Sequence, residues 1–292
     1  MHKMSWPLLG CVLVVAVWQT AAMVTGGKLS FAAQSAVITE GQWYRPTVGV
    51  TWYWQLLVND EHPLNTAYEV EIYNLDLFNT PAQTINRLQA TGRRVVCYFS
   101  AGTYERYAAD RSQFVSQDLG NVVAGWPEER WLDIRSSAVR RIMTERLDLA
   151  AKKRCDAVEP DNVQGYLETT GFALSAADQL AYNRFIATEA HRRGLAVGLK
   201  NSLEQVAELV DYFDFSINEQ CFQYKECQPL MPFIEAGKPV LNAEYPDQKP
   251  DLSTDWVDEL CNAANARDFS TLILPVELDG SFHVACQDAA KR

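Results

Sequence analysis

The chain has 292 residues, of which 48% are hydrophobic and 22% are charged, enough to bury one large core or two small ones. Its formal net charge is −11, so it would repel nucleic acids and anionic lipids, and we exclude nucleic-acid binding. Two interpretations of the acidic balance stay open, solubility and an acidic groove for a cationic substrate.

The N-terminus has the layout of a secretory signal peptide. It carries one lysine, an apolar run over 8–18 and small residues after it, and it is too short for a confident membrane span. We therefore predict a signal peptide over 1–26, with an uncleaved anchor as the alternative, in a secreted, periplasmic or cell-envelope protein. Residues 27–45 are small and polar and predict a linker, and 46–292 form the folded domain.

Eight short β-rich runs follow the linker. They are TWYWQLLV from Thr51, YEVEIYNLD from Tyr68, RVVCYFS from Arg94, DAVEPD from Asp156, LAVGLKN from Leu195, FDFSINE from Phe213, PVLNAEY from Pro239 and TLILPVEL from Thr271. Helical patterns fill gaps between them, and this alternation predicts parallel β/α units. Eight units predict a single-domain α/β fold, a (β/α)8 TIM barrel. A doubly wound open sheet is the alternative, but no glycine fingerprint follows any strand.

Capping residues mark the predicted helices. Thr80 is the expected N-cap of one helix, and Ser202 is the expected start of a capping box before another. A third helix is expected to begin at Ser175 and to stop at Gly194.

Polar side chains stand at the ends of the predicted strands, where a TIM barrel builds its active site. They include Asp76, Glu159, Asp161, Lys200, Asn201, Glu219, Glu244 and Tyr245. Glu159 and Asp161 are two residues apart in one strand and therefore face the same side. Glu219 shares its parity with Phe215 and Ile217, so we expect it just past its strand. Individual carboxylates could instead bind helix N-termini or Lys200.

Paired carboxylates without a metal indicate glycoside hydrolysis, in which one is acid/base and the other is nucleophile or base. Aromatic residues near the strand ends could stack on sugar rings. They are Trp52, Trp54, Tyr98, Tyr104, Trp126, Tyr224 and Tyr245. The sequence has no HExxH motif, G-x-S-x-G elbow or Walker loop, so we predict no metal site and no cofactor.

Six cysteines remain after the predicted signal peptide, and an even count in an exported chain permits disulfides. Cys221 and Cys227 lie close together in a loop-like stretch and are the predicted pair. Cys97 lies within an apolar strand and is expected to be a buried thiol. The pairing of the other cysteines stays open.

Several long motifs resemble glycoside hydrolase family 114. They are YNLDLFNTP, VVCYFSAGTYERY, GWPEERWLDIRS, AVEPDNVQGY, AYNRFIATEAHRRGLAVGLKN and FDFSINEQCFQYKEC. The resemblance runs from about Trp52 to Leu278. That family includes endo-α-1,4-polygalactosaminidases on a TIM-barrel fold. It therefore implies an exported enzyme that cuts α-1,4-linked galactosamine within a cationic exopolysaccharide, with no partner protein.

The resemblance also implies roles for individual residues. Asp161 would be the nucleophile and Glu219 the acid/base of a retaining mechanism. Other matching positions would shape the substrate subsite, together with the aromatic Tyr245. They are Asp76, Tyr98, Glu159, Lys200, Asn201 and Glu244. The family usually has a lysine near the end of strand eight, where this chain has Pro275.

Two further functions fit the same residues. One is a non-catalytic sugar-binding barrel of the cell envelope, which would keep the aromatics without bringing Asp161 and Glu219 together. The other is a hydrolase of another α-linked glycan, such as galactan.

Overall fold

The structure, a computed structural model, describes residues 43–246, 251 and 255–289. The predicted signal peptide, and the predicted linker as far as residue 42, lie outside the described residues. The description below concerns the unit of residues 38–292. Within the described part of the chain, no helix is both long and apolar enough to cross a membrane.

Parallel strands and helices alternate along most of the described chain. The strands are β1 (Trp52–Gln55), β2 (Ile72–Asp76), β3 (Arg94–Ser100), β4 (Thr103–Glu105), β5 (Leu119–Val123), β6 (Trp126–Leu132), β7 (Ala157–Asp161), β8 (Ala196–Lys200), β9 (Phe215–Glu219), β10 (Val240–Glu244), β11 (Ser270–Ile273) and β12 (Val284–Ala285). The helices are α1 (Ala82–Ala90), α2 (Ser137–Lys153), α3 (Ala176–Arg192), α4 (Val206–Leu209), α5 (Cys221–Tyr224), α6 (Met231–Glu235), α7 (Asp255–Asn265) and α8 (Cys286–Ala289).

The main sheet has the strand order β1-β2-β3-β7-β8-β9-β10-β11-β12. The first eight of these strands pair in parallel, and β12 pairs antiparallel with β11. Each of the eight predicted β-rich runs contains one of the parallel strands, except that the last begins one residue inside β11. The predicted TIM-barrel fold is therefore confirmed, with β12 as an addition that the sequence analysis missed.

Hydrogen bonds also join the first and last parallel strands. The indole of Trp52 donates to the carbonyl of Ser270 at 2.8 Å, and the Ser270 hydroxyl donates to the carbonyl of Val50 at 2.6 Å. Beyond the strand ends, the backbone N–H groups of Leu56 and Leu57 donate to the carbonyl of Leu278. These contacts bring β11 beside β1, so the sheet curls round an apolar interior.

That interior is filled by alternate residues of the parallel strands. They include Trp52, Trp54, Ile72, Val96, Ala157, Ala196, Phe215, Ile217, Leu241, Ala243 and Leu272. Phe215 and Ile217 therefore point inward with Glu219, which is the last residue of β9. The expectation that Glu219 lies past its strand is wrong. Gly198 makes room for the inward Phe215, because a Cβ at Gly198 would lie 2.6 Å from that ring.

A three-stranded antiparallel sheet, in the order β4-β6-β5, is inserted between β3 and α2. Arg146 of α2 holds this insertion. Its guanidinium donates to both carboxylate oxygens of Asp110, at 2.8 and 2.9 Å, and to the carbonyl of Ser100 at the end of β3. The insertion is therefore fixed to the end of β3 at which the predicted active site lies.

The helix starts are only partly as expected. Ser175 caps α3 through a capping box with Asp178. Thr80 is not the cap of α1, because Pro81 holds that position and no side chain bonds to the first turn. The capping box expected at Ser202 is also absent, since this residue has a left-handed backbone and a 3-10 turn follows it.

Three disulfides cross-link the described chain. The predicted bridge between Cys221 and Cys227 is present, and Cys261 of α7 is bonded to Cys286 of α8. Cys97 is bonded to Cys155, so the expectation of a buried thiol is wrong. The reason is the strand order, since β3 and β7 are neighbours and Cys155 lies just before β7.

Candidate active site

The side chain of Lys200 lies at the centre of a buried charge cluster at the carboxyl ends of β7, β8 and β9. Its ammonium is 3.1 Å from Glu219 Oε2 and 3.2 Å from Asp161 Oδ1. The third contact, to Glu159 Oε1, is 3.4 Å. The Lys200 side chain is only 2% exposed, whereas those of Asp161 and Glu219 are 17% and 28% exposed. Solvent therefore reaches two of the carboxylates while the lysine that joins them stays buried.

The charges of the cluster set the protonation of its buried members. Burial alone would lower the pKa of Lys200, but the three carboxylates outweigh it and raise the pKa above its usual value. For Glu159, burial raises the pKa to about 8 although Lys200 opposes the shift. Lys200 is therefore an ammonium at neutral pH, and Glu159 holds its proton up to about that pKa.

Beneath Lys200, the floor of the site is formed by two residues that the sequence analysis did not place there. The amide of Asn74 in β2 donates to Glu159 Oε2 at 2.6 Å. The ring of Trp54 lies under the Lys200 ammonium, which is 5.1 Å from the ring centroid. Trp54 was predicted as a sugar-stacking platform, but it is 1% exposed, and no sugar can reach it.

Asp161 is held by three donors besides solvent. The Tyr98 hydroxyl donates to Oδ2 at 3.1 Å, and the backbone N–H of Asn162 donates to Oδ1 at 2.6 Å. Asn162 has a φ of 61°, a left-handed conformation that asparagine tolerates. This turn directly after β7, together with Lys200, fixes the orientation of the carboxylate.

Glu219 is held from both sides by neighbouring strands. The Tyr245 hydroxyl, after β10, donates to Oε1 at 2.6 Å. The Asn201 amide, after β8, donates to Oε2 at 3.3 Å, and its own oxygen accepts from the Glu219 backbone N–H at 3.0 Å. The structure thus brings Tyr98, Glu159, Asp161, Lys200, Asn201, Glu219 and Tyr245 together, as the sequence analysis expected.

Two predicted site residues are engaged elsewhere. Asp76 accepts from the backbone N–H of Asn79 at 2.6 Å in the turn before α1, and burial raises its pKa. Glu244 accepts from the backbone N–H groups of Phe222 and Gln223 in α5, at 3.0 and 3.3 Å. Among the contacts of the described residues, neither carboxylate forms an ion pair with Lys200. Both fit the alternative that individual strand-end carboxylates bind local backbone.

Comparison with known proteins identifies the family. The sequence profile of Glycoside-hydrolase family GH114 matches residues 32–291. The chain belongs to this family. It is similar to Ega3 of Aspergillus fumigatus, solved in complex with galactosamine, with 40% identity and a TM-score of 0.77 over 83% of this chain and 97% of that chain. A comparison with curated proteins gives no match.

The fold is shared more widely. The glycoside hydrolase domain of PelA from Pseudomonas aeruginosa matches with a TM-score of 0.63 at 15% identity, over 80% of this chain and 98% of that chain. The family and the relative at 40% identity together make this GH114 protein a glycosidase on a TIM barrel.

The inserted sheet of this GH114 protein adds a second carboxylate pair at the same end of the barrel. Glu105 in β4 and Glu129 in β6 share the hydroxyl of Tyr107, at 3.1 and 3.4 Å. Burial raises the pKa of Glu105 to about 7. Burial also raises the pKa of Glu129, and the negative charge of Asp161 raises it further. The sequence analysis missed this pair because it did not predict the strands that carry it.

The arrangement suits acid/base and nucleophilic chemistry at one bond. Asp161 and Glu219 contact the same ammonium. The distance between their nearest oxygens therefore cannot exceed the sum of the two contact distances. Within the described residues, no group of three or more His, Cys, Asp or Glu side chains is placed to hold a metal ion. Two carboxyl groups held this close together are the arrangement that glycoside hydrolysis uses.

Proposed function

We propose that this protein is an exported endo-hydrolase that cleaves α-1,4-linked galactosamine within an exopolysaccharide, with Asp161 as nucleophile and Glu219 as acid/base. The observation that carries the proposal is the placement of these two solvent-reachable carboxylates on one buried ammonium, Lys200. The similarity to Ega3, which was solved with galactosamine, supports the choice of sugar.

The contacts favour a retaining mechanism. Retaining glycosidases hold their carboxyl groups about 5–5.5 Å apart, whereas inverting enzymes leave about 6.5–9.5 Å for a water molecule. Two contacts to a single nitrogen, of 3.2 and 3.1 Å, favour the shorter spacing. Asp161 would attack the anomeric carbon while Glu219 protonates the leaving oxygen, and the glycosidic bond would break. Water, deprotonated by Glu219, would then release the sugar from Asp161 with its configuration retained.

Lys200 suits both steps of this mechanism. Before the attack, Asp161 carries the negative charge and Glu219 the proton. Afterwards Asp161 is an uncharged ester and Glu219 is ionised. The negative charge thus moves between two oxygens that are 3.2 and 3.1 Å from the same ammonium. Lys200 therefore stays paired throughout, which avoids leaving a buried charge without a partner.

The charge of the protein matches a cationic polymer. The formal net charge is −11, and solvent reaches the carboxylates of Asp161 and Glu219 at the mouth of the barrel. A polymer of free-amine sugars carries positive charge near neutral pH. Attraction between the two would raise the local substrate concentration and the rate of encounter.

A substrate panel tests the proposed function. The full chain is incubated with partly deacetylated galactosaminogalactan, with the same batch after chemical re-acetylation, and with α-linked galactan. Mass spectrometry of the released oligosaccharides should show products from the free-amine polymer alone. Products from galactan would contradict the substrate, and no products from any polymer would favour a non-catalytic sugar-binding barrel.

Export is part of the same proposal, with residues 1–26 as the signal peptide, 27–45 as a linker and 46–292 as the catalytic domain. Three disulfides in the described chain support an oxidising compartment. Mass spectrometry of the N-terminal peptide of protein recovered from the culture medium tests it. A mature N-terminus near residue 27 is expected in the medium, and a protein that stays in the cell-envelope fraction with an intact Met1 would point to an uncleaved anchor.

A further inference from the structure

A cleft of about 640 Å³ opens beside the catalytic residues, between α5, the end of β10 and α7. Its lining includes Phe222, Gln223, Glu244, Tyr245, Trp256 and Glu259. The volume lies within the range of about 300–1,000 Å³ that is typical of small-molecule sites. The mechanism above uses only Tyr245 of these residues. The cleft adjoins the active site at that residue, whose hydroxyl binds Glu219.

The position of α7 places the far wall of this cleft at the mouth of the barrel. The helix begins at Asp255, after the chain has left the carboxyl end of β10. Its buried residues Val257 and Leu260 anchor it to the barrel. Trp256, in the first turn, is left 45% exposed although tryptophan is a large apolar side chain. An exposed tryptophan in a cleft beside a glycosidase site is placed to stack on a sugar ring.

Glu259 adds a negative charge to this wall. Glu259 is exposed and lies three residues after Trp256, so the two side chains are neighbours on one face of the helix. Among the described residues, no lysine, arginine or histidine forms an ion pair with Glu259. A flat indole face beside an exposed carboxylate complements a pyranose ring that carries an ammonium group.

Both walls are held by covalent and hydrogen-bonded links. The bond between Cys221 and Cys227 closes the α5 side, and the bond between Cys261 and Cys286 ties α7 to α8. Glu244, which accepts from two backbone N–H groups of α5, fixes that helix to β10. A cleft with fixed walls binds without a large ordering cost, which favours recognition of one defined ring geometry.

We infer that this cleft is a second sugar subsite, which binds another amino-sugar unit of the chain being cleaved, with Trp256 stacking on the ring and Glu259 pairing with the ammonium. The inference rests on the proposed function, because the occupant belongs to the same polymer. Exposed ion pairs contribute little, so Trp256 supplies most of the binding and Glu259 adds selection for the free amine.

A dependence on substrate length follows. An oligosaccharide that is long enough to occupy both the catalytic residues and the cleft gains binding that a shorter one lacks. Trp256→Ala should therefore lower the ratio of kcat/KM on a long galactosamine oligosaccharide to kcat/KM on the shortest one cleaved. The expected drop is about tenfold, the size of one good aromatic contact.

The test compares four variants with the wild-type chain on a length series of galactosamine oligosaccharides. Trp256→Ala should lower the ratio, Trp256→Phe should restore part of it, and Glu259→Gln should lower it about threefold, as expected for an exposed ion pair. Asp258→Asn is the matched control, because it removes the same charge from an exposed position of α7 outside the cleft lining. Its ratio should equal that of the wild type.

The same ratio in Trp256→Ala and in the wild type at every length would overturn the subsite and leave the proposed function intact. An equal loss in Asp258→Asn and Glu259→Gln would also overturn it, since the effect would then come from overall charge. A wild-type chain that cleaves no galactosamine oligosaccharide would remove both the proposed function and the subsite.

Discussion

The amide of Asn74 donates a 2.6 Å hydrogen bond to Oε2 of Glu159, and both residues are fully buried below Lys200. An amide N–H can donate to a protonated or an ionised carboxyl group, so this pair persists through the titration of Glu159. The floor of the site therefore holds one proton whose release affects the stability of the whole barrel.

The free energy of unfolding should fall as the pH rises from 4.5 to about 8, the ordinary and the raised pKa of Glu159. The folded protein holds this proton more tightly than the unfolded chain does. The resulting stabilisation is complete below pH 4.5 and is lost as the pH rises through 8. Urea unfolding between pH 5 and 8.5 measures the slope.

Glu159→Gln should flatten that slope, because the variant has no proton to lose at this position. A smaller slope should remain, since burial also raises the pKa of Glu105 to about 7. Glu168→Gln, at an exposed position, is the control and should keep the full slope. A wild-type slope in Glu159→Gln would show that the buried carboxyl group does not titrate in this range.

Lys200→Met should be costly, because it leaves Asp161 and Glu219 without their shared cation. Removing one partner of a buried ion pair typically costs about 3–5 kcal/mol. Thermal or urea unfolding checks the stability, and kcat should fall as well. The exposed Lys152→Met is the control. A variant with wild-type stability at pH 7 would contradict the account of the cluster.

The bridge between Cys221 and Cys227 begins two residues after Glu219. Replacing both cysteines by serine should cost about 2 kcal/mol of stability, as expected for a short closed loop. It should also lower kcat/KM, because the loop that follows Glu219 loses its brace. The double serine variant of Cys261 and Cys286 should lose more stability than the first variant, because this bridge closes a longer loop. Its kcat on short substrates should fall less than that of the first variant. Unchanged kcat/KM in the variant without the bridge between Cys221 and Cys227 would show that this bridge does not position the active site.

The KM for the cationic polymer should rise with ionic strength while kcat changes little. Salt screens exposed charges over about 8–10 Å at 0.1–0.15 M, and the attraction of the acidic mouth acts over such distances. Initial rates in 20 and 300 mM sodium chloride test this. An unchanged KM would leave solubility as the role of the net charge of −11.

The sequence predicted the barrel because its parallel strands are short and β-rich, and helices separate most of them. It predicted correctly that Glu159 and Asp161 share a face, because they are two residues apart in one strand. The alternation of apolar and polar residues did not show which side of β9 faces inward. Its inward residues Phe215 and Ile217 are as apolar as the outward residues of other strands. Strands that are buried on both faces carry no contrast between inside and outside.

Other features depend on contacts between distant parts of the chain. The bond between Cys97 and Cys155 requires that β3 and β7 be neighbours, although the whole inserted sheet and α2 separate them in sequence. In that sheet β4 has only three residues and β6 has three charged ones in a row, so neither resembled a buried strand. Glu105 and Glu129 were missed with them. Asn74 could not be predicted as a site residue from the sequence. A single amide in an apolar strand is not distinctive, and its role depends on the hydrogen bond to Glu159, which is distant in sequence.

The central claim is that Asp161 does the covalent chemistry with Glu219 across the cleft, while Glu159 only supports Lys200. The most direct test is the rate at which variants release oligosaccharides from a free-amine galactosamine polymer. The variants are Asp161→Asn, Glu159→Gln and the control Asp258→Asn. Circular dichroism and unfolding data check that each variant is folded. We expect Asp161→Asn to fold and to lose more than about a thousandfold in kcat, with Glu159→Gln losing mainly stability or KM and the control unchanged. Wild-type turnover in a folded Asp161→Asn variant would contradict the account.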